Sequence, residues 1–252
     1  MRYGVCADFS KAEAVKKAGF DYIELPINKI GIMSESEYIE ALREFDKLSF
    51  PAEACSLLLP KSMVVIGDRY SETELDGYLW CAYSRMKEMG IHIVSFGSGK
   101  SRFVPEGMSY KEAFKELISV TQRIVDTAAD YDIEVAIEPL NRAETNLINT
   151  LTEGSALASV TNAGLLADSF HIWKENEPIE DIILCSPISH AHVATLNGRR
   201  YPVENDEALK EFAGALKRAG YDKRLSIEGK TEDILTDGPK ALLALREAFM
   251  EE

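Results

Sequence analysis

The sequence predicts an α/β protein: one (β/α)8 TIM barrel as a single domain over residues 1–252. Eight short runs rich in apolar and β-branched residues alternate with longer helical segments along the whole chain, the pattern of parallel strands joined by crossover helices. The length of 252 residues suits a fold that typically needs about 250. The turn after the first run, Ala7-Asp8-Phe9-Ser10, is not the glycine-rich loop expected of a doubly wound open sheet, the main competing architecture.

The strands are read at residues 3–6, 22–25, 52–57, 92–96, 134–138, 164–168, 188–193 and 225–228. Several are nearly continuous apolar runs, as strands buried on both faces should be. The first helix is expected over 10–18, with Ser10 as its N-cap and Gly19 as its stop. The next are read at 35–48, 71–89 and 110–129, followed by a short one at 152–160 and another from near Pro178, a residue suited to a first helical turn. The last two are read at 205–219 and 239–251. Gly90 and Gly220 stand where C-terminal caps belong. Residues 57–71 are too long for a simple connection and are expected to form an elaborated loop on the catalytic face.

Composition narrows the function. Hydrophobic residues make up 46% and charged residues 28%, which fits a globular chain with a sizeable core. The net charge of −14 disfavours a nucleic-acid partner, because phosphate contacts need Lys/Arg surfaces. Cys6, Cys55, Cys81 and Cys185 form no C-x-x-C pair and read as packed, reduced thiols. The first residues lack the apolar core of a signal peptide, and no apolar run reaches the ~18 residues of a membrane span. A cytoplasmic protein with no membrane partner is expected.

Barrel enzymes carry their chemistry at the C-terminal ends of the strands, so the polar residues ending each apolar run matter most. Strand five ends in Glu138 and strand six in Asp168. Strand seven carries His190 and His192, and strand eight ends in Glu228. Four successive strands thus deliver carboxylates and imidazole to one end. Hard oxygen donors with one imidazole suit Mn²⁺, Mg²⁺ or Co²⁺, and Zn²⁺ can also be accepted. Three crowded carboxylates without a cation would repel one another. His190 and His192 lie two apart and share a strand face; one is expected as a ligand, the other as a neighbour or buried hydrogen-bonder. His171, in the loop beyond strand six, is placed to reach a substrate oxygen, whereas His92 begins strand four at the opposite end and reads as structural.

At these residues the sequence resembles the sugar isomerase/epimerase family of xylose-isomerase-like barrels, and within it the ketose 3-epimerases of tagatose/psicose type. The resemblance rests on Glu138-Pro139-Leu140-Asn141-Arg142-Ala143-Glu144, Asp168-Ser169-Phe170-His171, His190-Ala191-His192-Val193 and Ser226-Ile227-Glu228. The segment from Phe96-Gly97-Ser98-Gly99 through Arg102 to Pro105-Glu106-Gly107 adds to it. The resemblance implies one divalent metal, Mn²⁺ foremost, on Glu138, Asp168, His192 and Glu228. It makes Glu138 and Glu228 the catalytic proton-transfer pair, and it implies substrate contacts from Glu144, His171 and Arg199. Arg199 lies one place later than the epimerase spacing, and Gly229-Lys230 replaces a Pro-aromatic pair. It also implies a small sugar substrate and a homodimer or homotetramer.

The implied reaction removes a proton next to a carbonyl through an enediolate. Two glutamates on opposite faces of a sugar invert the carbon; one base returning the proton to the neighbouring carbon isomerises aldose and ketose. Rival readings are a hydroxypyruvate isomerase-like or inosose dehydratase-like enzyme on the same scaffold and a non-catalytic metal- and sugar-binding barrel. An abasic-DNA endonuclease of related fold is disfavoured by the charge and by only four histidines. Trp80 reads as outer-layer packing and Trp173 as a candidate pocket wall. Lys100 and Arg102 are candidates to neutralise a phosphate or carboxylate on the substrate.

Overall fold

The computed structural model describes residues 1–250. Its eight parallel strands are β1 (Arg2–Cys6), β2 (Tyr22–Pro26), β3 (Ala52–Ser56), β4 (Ile93–Phe96), β5 (Glu134–Ile137), β6 (Gly164–Asp168), β7 (His190–Val193) and β8 (Arg224–Ile227). They follow one another around a closed barrel, and β8 pairs back onto β1. The helices of the outer layer are α1 (Ala12–Lys17), α2 (Ile27–Ile30), α3 (Glu35–Asp46), α4 (Glu72–Glu88), α5 (Tyr110–Ala129), α6 (Leu151–Thr161), α7 (Ser169–Lys174), α8 (Asp181–Leu184), α9 (Glu207–Arg218) and α10 (Ile234–Met250). The open-sheet alternative is excluded by closure. Among the described residues no helix is long and apolar enough to cross a membrane.

Local chemistry sets the helix starts. Ser34 with Glu37 and Ser109 with Glu112 form reciprocal capping boxes on α3 and α5, satisfying N–H groups that a helix leaves unpaired. Ser71, Thr150 and Asp206 cap α4, α6 and α9. Ser10 is not a cap: it lies inside a 3-10 turn, Phe9–Lys11, that precedes α1. The helix read from Pro178 begins at Asp181 instead. The last helix begins five residues before Pro239, because Asp233 accepts from Leu235 N–H and Thr236 Oγ1 and anchors an earlier first turn. The expected end of that helix at Glu251 lies outside the described residues. Gly19, Gly90 and Gly220 have positive φ after their helices, as helix stops require. Trp80 is 66% exposed on α4 and packs in no layer.

Two apolar compartments divide the core. The larger fills the space between strands and helices. The smaller lies within the barrel: Tyr22, Ala54, Ile93, Ala136 and Leu166. Side chains two apart on a strand face the same way, so this floor dictates what lies one layer above it. Tyr22 is followed on that face by Glu24, Ala136 by Glu138, and Leu166 by Asp168. Pairing of Leu166 with His190 and of Asp168 with His192 carries the same two layers onto β7, and pairing of His192 with Ser226 carries them to β8.

Gly4 makes the floor possible. A Cβ there would overlap the Tyr22 ring, which is fully buried and bonds Ser226 Oγ through its hydroxyl at 2.7 Å. Gly4→Ala should therefore destabilise the barrel by about 1–3 kcal/mol, read as a lowered urea midpoint; an unchanged midpoint would show that the ring is free to move.

Candidate metal centre and active site

Glu138 directly follows β5, Asp168 ends β6, His192 lies in β7 and Glu228 directly follows β8. Each offers one ligand atom, and these four atoms lie within 4.8 Å of one another. His192 Nδ1 is 3.5 Å from both Glu138 Oε1 and Glu228 Oε2. Glu138 Oε1 and His192 Nδ1 are buried without a hydrogen-bond partner. Buried polar atoms are normally satisfied, so two orphans facing each other across a cluster of three carboxylates and an imidazole fit a divalent cation.

The surroundings hold these groups in place. A Cβ at Gly97 would overlap Glu138 Oε2, so the glycine leaves room for that carboxylate. Arg102 is fully buried and donates to Phe96 O at 2.9 Å and to Glu138 O at 2.7 Å. It pins the chain at the ends of β4 and β5. Every group it faces through these bonds is a backbone carbonyl, which corrects its reading as a ligand for a substrate anion. Asp168 Oδ1 accepts from Phe170 N–H at 2.8 Å and caps α7, which leaves Oδ2 facing the cluster.

Directly beneath is a buried network absent from the sequence reading. Glu24 on β2 is 0% exposed. Its Oε1 accepts from His192 Nε2 at 2.9 Å, and its Oε2 accepts from His190 Nε2 at 2.7 Å and Ser226 Oγ at 2.5 Å. Burial opposes its ionisation, but the adjacent His192 and His190 outweigh this and hold its carboxyl well below the usual range. Because His192 gives its Nε2–H to Glu24, Nδ1 is the nitrogen that faces the cluster. Burial opposes protonation of the ring, but Glu24 raises its pKa well above the usual imidazole range, and a cation bound there would take the Nδ1 lone pair in place of that proton. His190 is thus the hydrogen-bonder of the pair. Glu24, His190 and His192 also lie within 4.8 Å of one another, as do Cys6, His192 and Glu228; the carboxylate of the first group is already filled by hydrogen bonds. The available sequence signal was a lone charge in the run Tyr22-Ile23-Glu24-Leu25-Pro26.

Arg199 faces the cluster from above. Its guanidinium pairs with Glu228, with Asp168 Oδ2 at 3.3 Å and with Glu144 Oε1 at 3.4 Å, and it lies over the Phe170 ring at 4.8 Å. Burial opposes ionisation of Glu228, but Arg199, helped by His192 and His171, holds that carboxyl down at about 2. His171 lies on the single turn of α7, not in a loop. Its Nδ1 accepts from Asn141 N–H at 3.1 Å, and its Nε2 lies 3.6 Å from Asp168 Oδ2. It is 2% exposed, and its Nε2 also lies 4.0 Å from Glu138 Oε1. Glu138, Glu144, Arg199 and Glu228 line a cleft of about 250 Å³. Trp173 does not wall this cleft: the turn of α7 carries it to a separate cavity, against Phe212. His92 lies at the far end, bonded to Asp132 O.

Removing the Glu24 carboxylate would strand two imidazole donors and a hydroxyl in the barrel. Glu24→Ala should cost about 3 kcal/mol or more in chemical denaturation; a loss below 1 kcal/mol would show that water or rotation satisfies them.

Comparison with known proteins agrees with this architecture. The chain is similar over 98% of its length to the crystal structure of a D-allulose 3-epimerase from Methylomonas sp. in complex with D-allulose, with a TM-score of 0.82, 22% identity and 97% of that chain covered. It is similar to an L-ribulose 3-epimerase of Methylomonas sp., 24% identical, over 90% of this chain and 82% of that protein. A probable ketose 3-epimerase of Synechocystis sp. is also 24% identical, over 84% of this chain and 75% of that protein. Residues 12–250 match the family described as xylose isomerase-like TIM barrel, and the chain belongs to that family.

Proposed function

We propose that this protein is a divalent-metal-dependent sugar isomerase/epimerase, and that its reaction is 3-epimerisation of a ketose by proton abstraction next to the carbonyl. The observation that carries the reading is the convergence of Glu138, Asp168, His192 and Glu228 within 4.8 Å, with orphaned atoms on two of them. The relatives named L-ribulose 3-epimerase and probable ketose 3-epimerase support it.

Those four residues would hold the ion, with Mn²⁺ preferred and Mg²⁺, Co²⁺ or Zn²⁺ accepted. A bound divalent ion supplies Lewis-acid polarisation of the carbonyl and the neighbouring hydroxyl. The chain does the rest. Glu138 and Glu228 both line the cleft and rise from strands separated by β6 and β7, so a sugar in the cleft meets a carboxylate from each. One takes the proton from C3 and the other returns it to the opposite face. Glu228, held down by Arg199, is ionised across the neutral range, as a proton acceptor must be. Arg199 faces the position where enediolate charge develops, an arrangement that favours the transition state over the bound sugar. His171, fixed through Nδ1 by Asn141, presents Nε2–H toward the same side, while Glu144 holds Arg199.

Incubation with a ketose panel in D₂O tests the reading. Deuterium should enter C3 alone, EDTA should abolish the exchange, and Glu228→Gln should slow it by about 10²–10⁴-fold. Label at C1 would assign aldose–ketose isomerisation instead, and exchange that survives thorough chelation would rule out the metal.

A further inference from the structure

The cleft above the carboxylates carries a cationic wall that neither the metal nor the proton transfer uses. Lys61, in the segment after β3, and Lys100, in the segment after β4, both line it. Their segments are tied together at three points. Leu59 N–H donates to Ser98 Oγ at 2.9 Å, Ser101 Oγ to Pro60 O at 3.2 Å, and Val65 N–H to Ser101 O at 2.8 Å. One of these bonds joins the residue before Lys61 to the residue after Lys100, so the segments that carry the two exposed lysines are joined beside the cleft.

Neither ammonium group has a carboxylate partner among the described residues, in a chain whose 42 acidic residues outnumber its 28 basic ones. The carboxylates of the same cleft are engaged elsewhere. Glu144 accepts from Asn141 Nδ2 and pairs with Arg199, Glu228 pairs with Arg199, and Glu138 belongs to the metal cluster. Lys230 lines an adjoining cavity that shares Leu57, Arg199 and Glu228 with this one. Two unpaired like charges that line one cleft favour an anion bound within reach of both. Lysine is a point-charge ligand for phosphate. In an acidic protein, such a local patch also overcomes the general repulsion an anionic substrate would meet.

We propose that the substrate is a hydroxy-carbonyl compound bearing an anionic group, a phosphate monoester or a carboxylate, at the end remote from the reacting carbonyl, and that Lys61 and Lys100 bind that group. This rests on the proposed function for the reacting end, but its test does not need turnover.

The affinities of Mn²⁺-loaded protein for a hexitol, for its terminal phosphate ester and for the corresponding terminal carboxylate are measured by calorimetry. These compounds have no carbonyl to react. At least one anionic form should bind about tenfold tighter than the hexitol or better, and the arm that gains identifies the group. The double variant Lys61→Gln/Lys100→Gln, checked for an unchanged thermal melt, should bring the ratio close to one, and added salt should erode it in the parent protein. Equal affinity for neutral and anionic forms overturns the proposal. So does a preference that persists in the double variant, which would place the anion on the metal. Selective anion binding without any proton exchange in the ketose panel would sink the epimerase reading and leave this one standing.

Discussion

The site depends on one hydrogen-bonded carboxylate buried inside the barrel. Glu24 has no access to water, and it is tolerated there because two imidazoles and a hydroxyl donate to it. The same bonds fix both rings of β7. Tyr22 lies beneath on the same strand face and supports Ser226 through its hydroxyl. The barrel interior is therefore a stack: an apolar floor, a layer of satisfied hydrogen bonds, a layer of ligand atoms and an open cleft. On β5 and β6 the ligand residues stand two positions beyond the floor residues Ala136 and Leu166, and on β7 His192 stands two beyond His190, so the pleat itself sets the spacing.

Bringing Glu138, Asp168 and Glu228 within 4.8 Å of one another is electrostatically expensive unless positive charge is near. Arg199 supplies part of it, pairing with Glu228 and Asp168. Its backbone has positive φ, as does Gly198 before it, a tight turn that aims the guanidinium back over the barrel mouth. Lys61 and Lys100 line the same cleft and form no ion pair with these carboxylates.

Much of this was legible in the sequence, and the reasons are physical. Strand alternation and the rule that barrel chemistry sits at strand ends together picked Glu138, Asp168 and Glu228, because each ends or directly follows an apolar run, and narrowed β7 to His190 or His192, between which the family resemblance chose His192. Glu24 was not found, since its partner His190 lies 166 positions away and only closure of the barrel brings β2 opposite β7. Trp173 and His171 were misplaced because Asp168 caps a turn of helix that a strand-end reading takes for loop. Arg102 reads as a surface charge in a polar loop, and only the folded chain reveals the three backbone carbonyls, of Phe96, Glu138 and Ile148, that bury it. The early start of α10 was hidden by Pro239, which usually marks a first turn and here lies deeper in the helix.

The most direct measurement is titration of metal-free protein with Mn²⁺, in the parent chain and in Glu24→Gln. The account predicts one ion per chain in the parent. A glutamine carries no charge and cannot accept from both imidazoles, so the His192 ring is held less firmly and its Nδ1 is a weaker donor, and affinity should fall about 10–100-fold with the apo fold retained. Binding of equal strength in both proteins would contradict it.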